Sequence, residues 1–259
     1  MRAHGYDGDC IMVRLKRLLT LGSFLWVPWF SLKAQRVDMV FVETPTLLAT
    51  LVRTPEGFDP ERAYPLFIAL HGFGHSAERF LGVGAPFYSA GIIFASVRAP
   101  YPFLLEDGQL GYDWNLQHLG RPGVGDRATE LTVDYILTLV AGLRARYAVD
   151  RVYLMGFSQG GVFAYMTAIP NHTEFDGLVV FAAPFDQSWF PDGSLSEGKD
   201  LAVFVAHGDA DQAISIAASE RARDTLTALG YDVTLRPFAG GHTVPQEVVA
   251  EVIRWIAER

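Results

Sequence analysis

A single α/β domain on a mainly parallel sheet is predicted by three observations. Short apolar runs of strand length recur at residues 66–70, 92–97, 152–155, 178–181 and 201–206, continuous enough to be buried on both faces, and 233–236 gives a last strand. Segments of helical length alternate with the later runs: 126–147, with apolar residues near three-to-four spacing (Leu131, Tyr135, Ile136, Leu139, Val140, Leu143), then 162–168, 214–229 and 245–257. Most of the strand runs end in turns rich in glycine, proline or aspartate. Such alternation covers both faces of a parallel sheet with helices.

In chain order, two β-prone runs come first, 37–43 and 46–53, separated by Thr44-Pro45, and they read as an antiparallel hairpin at the sheet edge. The strand at 66–70 leads into His71-Gly72-Phe73-Gly74-His75, a glycine-rich turn at the carboxyl edge, where open α/β sheets bind ligands. Residues 77–90 have the length of a helix, weakened by Gly82, Gly84 and Pro86. Residues 103–126 show little periodicity and read as a long loop, either lining a pocket or packing its aromatics on the body. Gly230 is placed as the C-terminal cap of the 214–229 helix.

With 259 residues, half of them hydrophobic, the chain is long enough to bury a large core. Its formal charge of −8 argues against nucleic acid as a partner, since phosphate binding needs clustered Lys and Arg. The start differs in kind. Arg14, Lys16 and Arg17 precede an apolar stretch at 18–30, and Ala34 offers a small residue for cleavage. That pattern predicts a secretory leader over 1–34 and export, with an uncleaved membrane anchor as the alternative, ahead of one domain at 37–259. The apolar stretch is too short for a comfortable span, so no stable membrane span is expected in the mature form. The lone cysteine, Cys10, lies in that leader and excludes an internal disulfide, thiol catalysis and cysteine-based metal sites.

The chemistry centres on residues 152–168. The run 152–155 enters Gly156-Phe157-Ser158-Gln159-Gly160, and a helix-compatible segment follows. A serine on so tight a strand-to-helix turn takes a strained backbone, and residues two positions either side must be small. Serine is a weak nucleophile at neutral pH and needs a base held by a carboxylate. Of the seven histidines, His242 stands after the last strand between a glycine pair and the closing helix, while His71 reads as a brace for its own turn. The order serine, acid, histidine is the one expected on this architecture. From the residues alone, Asp209 and Asp211 after the penultimate strand are hard to separate, and Asp186 is a third candidate. Acyl transfer also requires two N–H donors for the oxyanion, expected from the backbone of Gln159 and of Phe73. Tyr112, Trp114 and Phe157 are candidates for an apolar substrate pocket.

His-Gly-Phe-Gly, Gly-Phe-Ser-Gln-Gly-Gly, His-Gly-Asp-Ala-Asp and Gly-Gly-His, in this order, resemble the α/β-hydrolase superfamily. The similarity is to its compact esterase branch of phospholipase/carboxylesterase and dienelactone-hydrolase-like members, and covers roughly residue 64 to the end. The resemblance implies an α/β-hydrolase fold and assigns the acid role to Asp211, the second aspartate of its loop. It implies hydrolysis of small acyl esters through an acyl-enzyme, with no cofactor or metal; thioester, lysophospholipid or small-peptide substrates would use the same three residues. A non-catalytic binding protein on this fold is the reading of another class. The chain departs from many relatives in carrying Gln212-Ala213 after the aspartate, where Pro-Val or a similar pair is common.

Overall fold

Each apolar run between residues 66 and 236 becomes a strand of one sheet in the computed structural model, which describes residues 42–120, 124–190 and 193–259. The strands are β1 (Thr50–Arg53), β2 (Tyr64–Leu70), β3 (Ile93–Val97), β6 (Val149–Phe157), β7 (Gly177–Phe181), β8 (Val203–Gly208) and β9 (Val233–Phe238), in the spatial order β1-β3-β2-β6-β7-β8-β9. All neighbours from β3 to β9 run parallel, and β1 lies antiparallel on β3. After β3 the chain crosses to the far side of β2 and lays down β6. The order therefore reverses between β2 and β6, and the carboxyl ends of the strands at such a switch point are where open α/β sheets bind ligands.

Side-chain alternation along β2 divides the core. Leu66, Ile68 and Leu70 join one cluster with Ile136, Val140 and Leu143 of α3 (Val124–Arg146), Phe163 and Ala168 of α4 (Gln159–Ala168), and Leu226 of α6 (Ala217–Ala228). Phe67 and Ala69 face the other cluster, built on Phe80 of α1 (Ala77–Phe80), Phe87 of α2 (Ala85–Ser89), and Val248, Val252 and Trp255 of α7 (Gln246–Ala257). The short α5 (Ser194–Glu197) precedes β8. Residues Thr46–Arg259 form one compact unit.

Three expectations are refined. Of the N-terminal hairpin, residues 37–41 and the expected leader 1–34 lie outside the described residues. Residues 42–49 carry no regular structure, and the second arm becomes a strand only at Thr50, pairing across the edge with β3 (Thr50 opposite Val97). The 77–90 segment is two short helices joined by a 3-10 turn at Leu81–Gly84, broken where Gly82 and Gly84 fall, with Pro86 in the first turn of the second helix, where its missing N–H costs nothing. The supposed loop after residue 100 contains a second, two-stranded sheet, an antiparallel hairpin of β4 (Tyr101–Leu104) and β5 (Leu110–Asp113). Four-residue strands with Pro102 in one and Gly111 in the other leave no readable alternation. Their pairing is supported by bonds to the turn after β2: Gly74 N–H donates to Tyr112 O (2.9 Å) and Tyr112 N–H to His75 O (3.2 Å). Among the described residues no helix is long and apolar enough to cross a membrane.

Phe67 is fully buried, stacked on Phe87 at 4.1 Å between ring centroids, with Phe94 and Tyr153 each at 6.2 Å. Phe67→Ala is expected to cost about 3–5 kcal/mol, because the close-packed ring cluster cannot collapse into the space. Urea unfolding checks this as a lowered midpoint with an unchanged slope.

Candidate active site

Ser158 sits where β6 ends and α4 begins, with φ 54° and ψ −121°, a region that non-glycine residues seldom enter. Strain of this kind costs about 1–3 kcal/mol and persists only when the surroundings over-determine it. They do so here. Ser158 N–H donates to Phe181 O of β7 at 2.9 Å, and Ser158 O accepts from Gly161 N–H at 2.9 Å and Val162 N–H at 3.2 Å. A Cβ on Gly156 would press into the Gly160 carbonyl, and one on Gly160 would collide with the carbonyls of Leu70 and His71 at the end of β2. The two glycines thus let β6, α4 and β2 meet backbone to backbone under the serine.

The same approach brings the turn after β2 beside Ser158: a Cβ placed on Gly72 would lie 3.3 Å from the Ser158 Cβ. Phe73 follows, 46% exposed, its ring stacked on Phe103 of the hairpin at 4.9 Å. His71 is fully buried. Its Nδ1–H donates to Gly72 O (2.8 Å), and its Nε2 accepts from Ala99 N–H (3.3 Å), which requires the neutral ring. Burial is the main cause that lowers its pKa to about 4, a neutral brace rather than a proton carrier.

After β8 and β9 two loops press together. Ala210 N–H donates to Gly240 O (2.9 Å) and Asp209 Oδ1 accepts from Gly240 N–H (3.1 Å). Asp209 is exposed and serves that loop junction. Asp211 is the acid that meets the histidine: its fully buried Oδ2 lies 2.7 Å from His242 Nδ1, while Oδ1 accepts from Ala213 N–H (2.8 Å) and Ile214 N–H (2.9 Å). Burial opposes ionisation of this carboxyl. The N–H groups of Ile214, His242 and Ala213 outweigh burial and hold its pKa below the ordinary carboxylate value. His207, also buried, stands behind Asp211 at 3.3 Å, with its Nε2 on Ile214 O (2.8 Å) and its Nδ1 on the Ser219 hydroxyl (2.7 Å). The His242 ring packs on that of Phe157, at 4.7 Å, which sets it next to the residue before the serine.

Asp186 is an exposed cap on the turn Gln187–Trp189, accepting from Ser188 N–H at 2.8 Å, and takes no part in this cluster. Trp114, read from the sequence as a pocket residue, is fully buried in the core and donates its indole N–H to His71 O at 2.8 Å. Tyr112 is likewise buried, under the Arg98 guanidinium. Of the three pocket candidates, only Phe157 borders the cluster with part of its ring exposed. The sequence reading missed Asp113 and His118, a bonded pair (2.8 Å) next to the Gln159 side chain. Only the Asp-Trp-Asn string within a glycine-flanked loop hinted at them. Among the described residues no group of three or more His, Cys, Asp or Glu side chains could hold a metal ion.

Comparison with known proteins now settles the family. The phospholipase/carboxylesterase family matches residues 58–258. The chain belongs to that family. A probable carboxylesterase of Oryza sativa subsp. japonica is 24% identical over 209 residues, 76% of this chain and 88% of the rice protein. Acyl-protein thioesterase 1 of Neurospora crassa is 27% identical over 116 residues, so that the match spans 42% of this chain and less than half (46%) of that protein. Among solved structures, esterase PE8 aligns with a TM-score of 0.65 at 21% identity, over 82% of this chain and 99% of its own. Acyl-protein thioesterase 2 of Zea mays aligns at 0.64 and 17%, with the same coverage. These likenesses show the α/β-hydrolase fold. The family supports action on esters.

The His71 geometry generates a pH dependence. A neutral buried ring with a folded pKa near 4, against 6.5 for the free residue, leaves the unfolded chain binding more protons between those values. Stability is therefore complete above about pH 6.5 and falls on acidification by about 3 kcal/mol as pH nears 4. Urea unfolding at pH 7, 5.5 and 4.5 is expected to show this acid limb, and His71→Asn, which retains a donor for Gly72 O, is expected to lack it.

Proposed function

We propose that the protein is a serine hydrolase of carboxylic esters that works through an acyl-enzyme formed on Ser158. The observation that carries this reading is the His242–Asp211 contact at 2.7 Å, made by a buried carboxylate, with the His242 ring packed on Phe157, the residue before a strained serine at the sheet's switch point. With Nδ1 engaged by Asp211, His242 has Nε2 to take the Ser158 proton as Oγ attacks the ester carbonyl. Asp211 fixes the tautomer and stabilises the imidazolium that forms. The negative charge on the carbonyl oxygen is met by the main-chain N–H groups of Gln159, at the start of α4, and of Phe73, a group that makes no hydrogen bond among the described residues. The protonated His242 then gives its proton to the leaving alcohol. Water, activated by the same ring, releases the acid and restores the serine.

The half-exposed Phe73 ring stacked on Phe103 favours an apolar substituent on the ester. The name of the Neurospora relative favours thioesters as a second substrate class, since the same three residues would serve the same acyl chemistry. Export is part of this proposal and rests on the basic-then-apolar leader; mass measurement on the protein from a secreting host is expected to show a start after Ala34, and a retained leader would overturn it.

Ser158→Ala is expected to fold as the parent does and to lose p-nitrophenyl ester turnover by about 10⁴-fold or more. A fluorophosphonate is expected to add stoichiometrically at Ser158 in the parent and not in His242→Ala, as read by intact mass and peptide mapping. Retained turnover in Ser158→Ala, or no adduct on the folded parent, would overturn the assignment.

A further inference from the structure

We propose that the Gln159 side chain and the buried Asp113 carboxylate are positioning residues that lock the two oxyanion N–H groups into one frame. The inference rests on the serine-hydrolase reading above and assigns a role within that same site.

The two donors come from distant parts of the chain, one at the start of α4 and the other in the turn after β2. Strand pairing between β2 and β6 ends below both, with Leu70 opposite Gly156. Above that level a chain of polar contacts takes over. The Gln159 amide uses both of its ends. Its Oε1 accepts from Trp114 N–H (3.3 Å), and its Nε2 donates to Asp113 Oδ1 (2.7 Å) and Asn115 Oδ1 (3.2 Å). The orientation is forced, because the flipped amide would set oxygen against a carboxylate and NH₂ against an N–H. Asp113, fully buried, accepts in addition from Asn115 N–H (3.0 Å), His118 N–H (3.0 Å) and His118 Nδ1 (2.8 Å). A buried carboxylate is costly unless satisfied in this way, and these bonds hold it ionised.

The link continues through Trp114. Its carbonyl accepts from the Thr132 hydroxyl of α3 (2.7 Å), and its indole N–H donates to His71 O (2.8 Å). His71 in turn donates from Nδ1 to Gly72 O (2.8 Å), the carbonyl of the peptide whose N–H belongs to Phe73. Trp114 and His71 therefore join the Gln159 side chain to the Phe73 peptide. The turn that carries the link is itself tightly determined: Leu116 adopts φ 61°, a left-handed conformation, between Asn115 and Gln117. Without the clamp, the turn after β2 and the start of α4 could shift relative to each other by fractions of an ångström, which is enough to misplace a donor.

The readout that separates positioning from mere support is where the loss falls. The oxyanion exists only in the transition state, so misplaced donors lower kcat and leave KM nearly unchanged. Gln159→Leu keeps the bulk and removes both ends of the amide; Asp113→Asn keeps the shape and removes the charge. Each is expected to lower kcat for a p-nitrophenyl ester on the order of tenfold to a hundredfold, with KM within about threefold of the parent and a matching slowing of fluorophosphonate labelling. The double variant is expected to lose little more than either single, because both changes break one link. Folded variants that keep kcat within about twofold, losses that fall in KM, or single losses that multiply in the double variant would overturn the proposal. If Asp113→Asn fails to fold, Gln159→Leu decides by the same kcat and KM comparison. A parent with neither turnover nor labelling would overturn the hydrolase reading itself, and the clamp's role with it. An active parent with indifferent variants would overturn the clamp alone.

Discussion

The close approach of three backbones beneath Ser158 is the constraint on which the site depends. Gly160 lies so near the carbonyls of Leu70 and His71 that no side chain fits, and Gly156 is similarly pressed on the Gly160 carbonyl. Because β6 and α4 can meet β2 this tightly, the serine is forced to positive φ and the turn after β2 is brought against it. Strain at one residue is tolerable because the strand bond to Phe181 and the helix start leave Ser158 no alternative. A backbone held in this way fixes the point from which the serine side chain leaves the turn.

The half of the site that holds Asp211 and His242 is built differently, from two loops rather than from close backbone packing. Asp211 and His242 follow adjacent parallel strands, β8 and β9, so the sheet register alone brings their loops side by side. Buried groups then fix the details. His207 stands behind Asp211, and Asp209 ties its loop to Gly240, so the aspartate that is not against His242 still shapes the site. The charged and polar groups buried nearby, Asp211, Asp113, His71 and His207, are satisfied by N–H, carbonyl or hydroxyl partners, the condition for polar burial to be tolerated.

Much of this was legible before any coordinates. Continuous apolar runs such as 66–70 and 178–181, short and bounded by turn residues, read as buried strands, and a serine flanked by Gly156 and Gly160 between a strand and a helix read as a nucleophile rather than as part of an ordinary loop. What the sequence hid has physical reasons. The β4–β5 hairpin is held by main-chain bonds to the turn after β2, and main-chain bonds leave no residue pattern. Trp114 read as a pocket residue because aromatics in an irregular stretch look exposed, yet its indole N–H found a buried carbonyl. The amide of Gln159 looked incidental beside its backbone N–H, since no one-dimensional pattern relates it to Asp113.

Local chemistry therefore belongs to the sequence: which segments bury, where the chain must turn sharply, and which residue types could move a proton. The choice among equivalent residues belongs to the tertiary structure. Asp209 and Asp211 share a loop and a chemistry. Only the packing of the loop after β8 against the loop after β9 turns Asp211 toward His242 and Asp209 toward the Gly240 peptide. Such a choice is set by distances between segments some thirty residues apart, and those distances exist only once the sheet has formed.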